Sequence, residues 1–380
     1  MRTVILATAG RRAGGLGSLV ERGVTRTAYL RATQLGSPPS RPASPFIVAA
    51  QDCFAGGLVV SADHELDSAP RAPPSLQRPT RNALEESALN PSARTPSEFT
   101  VRFWGVRGSI ATPGPETARY GGNTTCIEVR VAGHLIIIDC GTGMRPLGNR
   151  LAATGEPIEA TVLVSHMHLD HILGFPFFSP AFSKRNRFAF YSEPRVFKGL
   201  RAVLSEQMAD PTFPIGLDHM GAQFRFHEIN AGDSFSIGPV RVRTAPLNHP
   251  GGATAYRIEH GGHAFVHASD HEHLSALHAP LVELARGADV LSLDATYTDD
   301  EYHGDGTSSS HVGWGHSTWQ EGCRLADAAG VKRHVLFHHD PSHTDDLLDE
   351  IGVLAGARRA GTLVAREGMV IDVRSDSYTF

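Results

Sequence analysis

The sequence has few cysteines and no long apolar run. Its four cysteines, Cys53, Cys126, Cys140 and Cys323, lie far apart and form no CxxC pair. This spacing argues against a thiolate zinc site and against a disulfide framework. It is typical of a protein from the reducing cytoplasm, where we expect this one to be. No stretch approaches 18 uninterrupted apolar residues, so the sequence predicts no membrane span.

Basic residues are also scarce over most of the chain. Residues 1–98 carry a balance of +3, with eleven Arg and no Lys, whereas the remainder carries −8. Because residues 99–380 are net acidic, they do not form a basic surface for nucleic acid. Long RNA or DNA is therefore not the expected substrate. With 380 residues, 41% of them hydrophobic, the chain is nevertheless long enough to bury a sizeable core.

The first 98 residues differ in composition from the rest. They include the Pro-, Ser-, Ala- and Arg-rich segments 38–45 and 69–74 and show no sustained periodicity. Chains of this composition usually stay unfolded. We therefore predict a disordered, low-complexity extension over residues 1–98 and a catalytic domain over residues 99–380.

Strand patterns and helical patterns alternate from Phe99 onwards. Two hairpin signals, Val131-Ala132-Gly133-His134 and His260-Gly261-Gly262-His263, each join two strands. Strand clusters interrupted by helices in two successive halves predict an α/β fold, in which two mixed sheets pack face to face with helices outside. Strands are predicted near 100–106, 124–131, 134–139, 161–165, 187–191, 222–228, 234–244, 254–259, 263–268, 289–293, 333–337 and 368–373.

Helices are expected between these strands. The second is predicted to open at Glu193-Pro194, and the fourth to have Ser317 as its N-cap. The polar, Gly- and Ser-rich segment 298–315 is predicted to be a mobile loop near the mouth of an active site. The helices are placed near 145–153, 195–208, 276–286, 317–329 and 343–355.

Three imidazoles and a carboxylate fall within six consecutive positions, directly after the apolar stretch 160–164. The segment reads Ser165-His166-Met167-His168-Leu169-Asp170-His171. Unpaired polar groups at the end of a buried strand would cost about 1–3 kcal/mol each, whereas imidazole nitrogens and carboxylate oxygens are common zinc ligands. His166 and His168 point the same way in an extended segment and can share one ion. Asp170 and His171 can hold a second ion, and a His-rich surface loop is the alternative interpretation.

One segment cannot enclose two ions, so further ligands are expected where later strands end. Three segments qualify: 246–252 contains His249, 266–270 contains Asp270, and 335–341 contains the pair His338-His339. Taken singly, His249 could be a loop residue and Asp270 an ordinary turn residue. Because successive side chains of a strand point to opposite faces, only one of His338 and His339 is expected to point inward. This alternation does not tell which of the two it is.

These motifs together resemble the metallo-β-lactamase superfamily of two-metal hydrolases, whose signature HxHxDH corresponds to residues 166–171. The resemblance covers residues 99–372. The segments 103–109 (FWGVRGS) and 135–143 (LIIIDCGTG), and Gly315-His316-Ser317-Thr318 before a helix, are similar to its phosphodiesterase branch. That branch includes ribonuclease Z and the phosphoribosyl cyclic-phosphate phosphodiesterases. The resemblance implies an αββα sandwich and a phosphoric diester hydrolase.

The resemblance also implies a ligand for each coordination position. Zinc is the expected metal at both positions, with manganese or iron as alternatives. The choice of His338 over His339 follows from the resemblance alone. The first ion would be held by His166, His168 and His249 and the second by Asp170, His171 and His338, with Asp270 bridging both.

The expected reaction needs a nucleophile and an acid. A metal-bridging hydroxide would attack the phosphorus, and Asp170 would take its proton. His316, oriented by Asp294, would protonate the leaving group, although a histidine just before a helix could also be a simple flanking residue. The resemblance further implies that Asp139 supports the site from behind. The backbone N–H groups of Ser109, Asn123 and Thr124 are candidate phosphate contacts.

Several functions share this motif. Processing of tRNA 3′ ends needs a basic Gly- and Pro-rich arm, but strands and one helix account for the 77 residues between His171 and His249. A small, possibly cyclic phosphodiester is therefore the favoured substrate, with a tRNA 3′-processing-type endonuclease as the alternative. A lactone or thioester hydrolase usually carries a TPGHT-like motif where this chain has Pro246-Leu247-Asn248-His249-Pro250. A non-haem iron oxidoreductase of the sulfur dioxygenase type is the alternative from another class, and a homodimer is expected from the likeness to ribonuclease Z.

Overall fold

The computed structural model describes residues 98–195, 198–304, 306 and 309–380. The predicted extension over residues 1–98 thus lies, except for Glu98, outside the described residues. Within the described ranges, no helix has both the length and the apolar character needed to cross a bilayer.

Fifteen strands build two sheets from the described residues. They are β1 (Phe99–Gly105), β2 (Cys126–Val131), β3 (His134–Ile138), β4 (Glu159–Val164), β5 (Arg187–Ser192), β6 (Gln223–Glu228), β7 (Ser234–Ile237), β8 (Val240–Leu247), β9 (Ala253–His260), β10 (His263–Ala268), β11 (Val290–Asp294), β12 (Arg333–Phe337), β13 (Thr362–Val364), β14 (Val370–Asp372) and β15 (Tyr378–Thr379). The first sheet has the order β15-β14-β1-β2-β3-β4-β5-β6 and the second β13-β12-β11-β10-β9-β8-β7.

Both sheets are mixed. In the first, β3 to β6 are parallel neighbours and the remaining pairs are antiparallel. In the second, β10 to β13 are parallel and β7 to β10 antiparallel. Strands β11 and β12 are buried along their whole length. Because β8, β10, β11 and β12 all run in one direction, the residues that follow them meet at one rim of the sheet.

An apolar core separates the sheets, and helices cover their outer faces. Side chains such as Phe103, Phe265 and Phe337 fill the space between the sheets. On β3, Ile136 faces this core while Ile137 faces the outer layer, so the strand is buried on both sides. The predicted αββα sandwich is therefore confirmed. Its helices are α1 (Met144–Ala152), α2 (Leu169–Ile172), α3 (Leu200–Gln207), α4 (Ala279–Ala285), α5 (Asp299–His303), α6 (Trp319–Ala329) and α7 (Asp345–Arg358).

Several helix boundaries differ from the sequence-based expectation. Helix α3 begins at Leu200, not at Glu193-Pro194. The N-cap of α6 is Thr318, whose hydroxyl accepts the Glu321 N–H at 3.2 Å. Ser317 is not the cap, because its hydroxyl donates to the His271 carbonyl instead. The segment predicted to be a loop at 298–315 contains α5, which is stabilised by a capping box of Thr298 and Glu301.

The strands were predicted more closely than the helix ends. Both predicted hairpins are present, with Val131 paired to His134 and His260 to His263. The stretch predicted as one strand over 234–244 is two, β7 and β8, because the chain turns between them at Gly238 with φ of 55°. The short strands β13 and β15 carry too few residues for a visible pattern.

Candidate metal centre

The proposed ligands all follow strands that end at one rim of the sandwich. Ser165-His166 follows β4, His249 lies two residues beyond β8, Asp270 two beyond β10, and His338 directly follows β12. The HxHxDH segment then turns into α2, which carries Asp170 and His171 in its first turn. The convergence expected from strand order is thus what the structure shows.

The first cluster is built around one oxygen of Asp270. His166 Nε2 lies 3.5 Å and His249 Nε2 lies 3.6 Å from Asp270 Oδ2. His168 Nδ1 is 3.1 Å from His249 Nε2. The four donor atoms lie within 4.8 Å of one another, close enough together to face one ion.

The second cluster uses the other oxygen of Asp270. His171 Nε2 lies 3.0 Å and His338 Nε2 lies 3.2 Å from Asp270 Oδ1. Both nitrogens are also 3.2 Å from Asp170 Oδ2. Asp270 therefore offers one oxygen to each cluster, which is the arrangement of a bridging carboxylate.

Each of four histidines is oriented through its second ring nitrogen. This contact fixes the ring and leaves Nε2 directed into the cluster, as second partners of metal-binding histidines do. The Nδ1 contacts are His166 to Ser165 Oγ at 3.2 Å, His171 to Asp139 Oδ2 at 2.9 Å, His249 to the Gly315 carbonyl at 2.9 Å and His338 to Thr296 Oγ1 at 3.1 Å. Asp139 thus lies behind the cluster, where the family resemblance places it.

Asp139 and His338 have a left-handed backbone. The φ angles are 61° at Asp139 and 62° at His338, values that non-glycine residues seldom adopt and that concentrate at functional sites. His338 consequently faces the second cluster. His339 faces the other way, with its Nε2 2.8 Å from the Ala365 carbonyl, and burial lowers its pKa to about 3.

The donor set fits divalent cations. His166 Nε2 and His171 Nε2 are buried and face carboxylate oxygens, but neither makes a well-aligned hydrogen bond. Burial acts to lower the pKa of His171, but Asp170 and Asp270 outweigh it and raise that pKa well above its usual value. Conversely, although burial raises the pKa of Asp270, the imidazoles around it hold that pKa well below its usual range. Buried nitrogens beside carboxylates that attract positive charge suit zinc, and also manganese or iron.

His316 and Asp294 form a pair at the edge of the clusters. His316 Nδ1 is 2.8 Å from Asp294 Oδ2, and its ring is stacked on that of His338 with centroids 4.9 Å apart. Burial acts to lower the pKa of His316, but Asp294 outweighs it and raises the pKa to about 9. His316 therefore lies against the proposed ligand His338, with Asp294 behind it, at the edge of the clusters.

A pocket of about 480 Å³ opens over the clusters. Among the described residues that line it, none is a Lys or Arg. The lining residues are Ser109, His168, His249, Pro250, Tyr297, His311, Trp314, His316, Asp340, Pro341 and Ser342.

The early loops do not offer the free backbone N–H groups expected from the sequence. The Ser109 N–H donates to Asp170 Oδ2 at 2.8 Å, that of Asn123 to Glu367 Oε1 at 2.7 Å, and that of Thr124 to Thr142 Oγ1 at 2.8 Å. The expectation that these groups contact phosphate is therefore wrong, because side chains of the protein already use them.

Sequence reasoning missed the residues that support the ligands. Ser165 and Thr296 hold ligand histidines, and Glu272 fixes the turn that precedes His316 through the N–H groups of Gly313 and Gly315. Ser165 could have been found from its place between a buried strand and the first histidine. Nothing local in the sequence marks Thr296 or Glu272.

A profile of the Beta-lactamase superfamily domain matches residues 134–339. The chain belongs to this family. Ribonuclease Z of Methanothermobacter thermautotrophicus is 25% identical over 262 residues, which cover 57% of this chain and 80% of that protein. Ribonuclease Z of Mycobacterium sp. (strain KMS) is 28% identical over 243 residues, covering 60% and 81%.

The fold comparison agrees. The metallo-beta-lactamase fold protein YhfI of Bacillus subtilis matches with a TM-score of 0.54 and 18% identity, over 72% of this chain and 99% of that protein. The predicted superfamily and fold are confirmed, and with them the predicted class of enzyme, a metal-dependent hydrolase.

Proposed function

We propose that this protein hydrolyses a small phosphodiester with two divalent ions. The observation that carries the proposal is the sharing of Asp270, whose two oxygens face two separate donor clusters. When bound, such ions supply an activated water and neutralise the charge of the phosphate. His166, His168 and His249 would hold the first ion, and Asp170, His171 and His338 the second.

His316 would donate the proton that the leaving oxygen needs. Its Nδ1 is engaged by Asp294, so Nε2 is the atom that can donate. Asp294 itself is kept ionised, because the adjacent His316 lowers its pKa although burial opposes this. Such an oriented acid contributes about 10²- to 10⁴-fold to a rate.

The contacts of Asp170 favour a ligand role over a proton-accepting one. Its Oδ2 lies beside the Nε2 atoms of His171 and His338 and also accepts the Ser109 N–H. Burial alone would raise its pKa, but the imidazoles lower it well below the usual range. A carboxylate that stays ionised in this way is available to hold a cation and is a poor proton acceptor.

The pocket supports a small substrate. Its volume of about 480 Å³ lies within the range of small-molecule sites, about 300–1,000 Å³. An extended polyanion is held by several Lys or Arg contacts to its phosphates, but none of the described residues lining this pocket is of either type. A substrate with a single phosphodiester, whose charge the two ions would neutralise, needs no such contacts and therefore fits this pocket.

An RNA endonuclease is the second candidate. It is favoured by the similarity to two proteins named Ribonuclease Z, each matched over at least 80% of its length. Such an enzyme would bind its RNA through surfaces outside the pocket over the clusters.

A substrate panel tests these proposals. Metal-loaded protein is assayed with bis(p-nitrophenyl) phosphate, cyclic nucleotides, cyclic ribose phosphates, a tRNA precursor and a lactone. We expect turnover of the small phosphodiesters and its loss in His166→Ala and Asp170→Ala. Full activity in either variant would contradict the assignment. Faster cleavage of the tRNA precursor would favour the second candidate, and oxygen uptake by an iron-loaded form would exclude both.

A further inference from the structure

One side of the pocket is an aromatic wall made of Tyr297, His311 and Trp314. The ring of His311 lies parallel to that of Tyr297, with centroids 4.6 Å apart and an angle of 11°. It meets the Trp314 ring edge-on, at 4.7 Å and 85°. Trp314 nevertheless remains 59% exposed. The wall thus presents a large indole that the protein itself leaves uncovered.

The turn that carries Trp314 is held firmly from beneath. The buried carboxylate of Glu272 accepts the N–H groups of Gly313 at 2.5 Å and Gly315 at 3.1 Å, and the hydroxyl of Tyr302 at 2.8 Å. Hydrogen bonds to a charged group are among the stronger ones in proteins. The backbone on both sides of Trp314 is therefore held in place.

Three other exposed apolar residues are chain neighbours of residues that line this pocket. Ile110 is 61%, Val312 is 56% and Leu169 is 64% exposed. Each is the chain neighbour of a lining residue, namely Ser109, His311 and His168. A phosphate group gives no reason for the exposed indole of Trp314 in this pocket, whereas a substrate with an apolar, flat portion does.

Polar acceptors line the same pocket. Asp340 Oδ1 accepts the N–H of Ser342 at 2.7 Å and its hydroxyl at 2.6 Å, which fixes the carboxylate in place. A carboxylate repels a second phosphate but accepts hydrogen bonds from sugar hydroxyls or base N–H groups. The lining therefore matches a compound with one phosphodiester, a flat ring and hydroxyl groups.

We propose that Trp314 stacks on the base of a nucleoside phosphodiester, which makes nucleotide esters the substrate class of this site. This inference rests on the proposed function and specifies its substrate. Stacking of a base on an aromatic side chain accounts for about 1–3 kcal/mol by alanine substitution. A loss of about tenfold in base-dependent affinity is thus expected when the indole is removed.

A binding experiment tests the inference without relying on hydrolysis. The affinities of metal-loaded protein for thymidine 5′-monophosphate and ribose 5-phosphate are measured by calorimetry. We expect the nucleotide to bind at least about tenfold more tightly. Trp314→Ala should remove this difference, and Trp314→Phe should preserve most of it. Leu354→Ala, which trims a side chain of similar exposure (56%) on α7, should change neither affinity.

A kinetic experiment uses two esters with the same leaving group. Thymidine 5′-(p-nitrophenyl phosphate) is compared with methyl p-nitrophenyl phosphate. We expect Trp314→Ala to lower kcat/KM about tenfold for the nucleoside ester and to leave the methyl ester within twofold. Circular dichroism of the variants verifies that the fold is unchanged.

The outcomes separate this inference from the proposed function. Base-dependent binding that Trp314→Ala abolishes, without hydrolysis of either ester, would support stacking of a base on Trp314 but refute the phosphodiesterase and, with it, nucleotide esters as substrates. Hydrolysis of both esters at equal kcat/KM, with no base-dependent binding, would refute the inference and leave the function standing. A change of oligomeric state in Trp314→Ala with base discrimination intact would also refute it, since Trp314 would then be a protein contact.

Discussion

Replacing Gly108 with alanine should disrupt the second metal position without removing any proposed ligand. The new Cβ would lie 2.4 Å from Cε1 and Nδ1 of the His338 ring. The backbone of Gly108 lies outside the left-handed region, so alanine adds no conformational strain of its own. Since carbon atoms in contact are about 3.5–4.0 Å apart, one of the two groups has to move by about 1 Å.

The loop that carries Gly108 is not free to move. The Gly108 N–H donates to the His339 carbonyl at 3.0 Å, and the His339 N–H donates to the Val106 carbonyl at 3.0 Å. The His338 ring is therefore the group that shifts. Zinc–nitrogen bonds are about 2.0–2.1 Å long and tolerate deviations of about 0.2 Å, so a shift of about 1 Å removes His338 from the coordination sphere.

We expect the zinc affinity of the second position to fall by about 100-fold, the upper end of the losses seen when the support of a ligand is altered. The first position has no ligand from the segment that follows β12 and should keep its ion. After dialysis against buffered zinc, elemental analysis should find about two ions per chain in the natural protein and about one in Gly108→Ala.

Gly114→Ala is the matched control for this experiment. Gly114 has an extended backbone with φ of −177°, and an added Cβ would come no closer than 4.0 Å to its nearest neighbour, Thr117 Oγ1. This variant should retain about two ions. Two ions in Gly108→Ala at the same free zinc concentration would show that the second position is not built on His338.

Three further substitutions probe separate features. His316→Ala should lower kcat by about 10²- to 10⁴-fold at unchanged metal content, as kinetics and elemental analysis would show. His339→Ala should keep both ions but lower the free energy of unfolding by about 1–3 kcal/mol in urea titrations, because the buried Ala365 carbonyl loses its donor. Burial acts to raise the pKa of Glu301, but His343 outweighs it and lowers that pKa from its usual 4.5 to about 2. Its ionised form therefore stabilises the fold above pH 4.5, and that stability is lost as the pH falls towards 2. Glu301→Gln should be less stable at neutral pH by at most about 1 kcal/mol, given partial exposure, and the difference from the natural protein should vanish in acid.

The sequence was sufficient for the parts of the site that depend on local spacing. His166 and His168 follow a buried strand, and Asp170 and His171 lie in the helix that comes next. The periodicities of the strand and the helix alone therefore direct these side chains to one place. His249 and Asp270 were found in the same way, since each stands two residues beyond a strand. The strands were readable because buried β-branched and apolar runs leave a strong pattern.

Features that depend on the third dimension could not be predicted. Alternation along β12 cannot choose between His338 and His339, because the left-handed backbone at His338 breaks the alternation at that residue. The helix cap fell on Thr318 rather than Ser317, since the Ser317 hydroxyl finds the His271 carbonyl, 46 positions away in sequence. The N–H of Ser109 was predicted to be free because its acceptor, Asp170, is 61 positions away in sequence, and local spacing does not reveal such a partner.

The tripeptide Asp270-His271-Glu272 links metal binding to the pocket wall. Asp270 faces both clusters, while Glu272 fixes the turn of Gly313 and Gly315. The carbonyl of Gly315 in turn orients His249. A ligand of the first cluster and the backbone on both sides of Trp314 are therefore held by one short segment. A substrate ring bound at Trp314 would thus be held at a fixed distance from the ions, which is the condition for aligning its phosphate for attack.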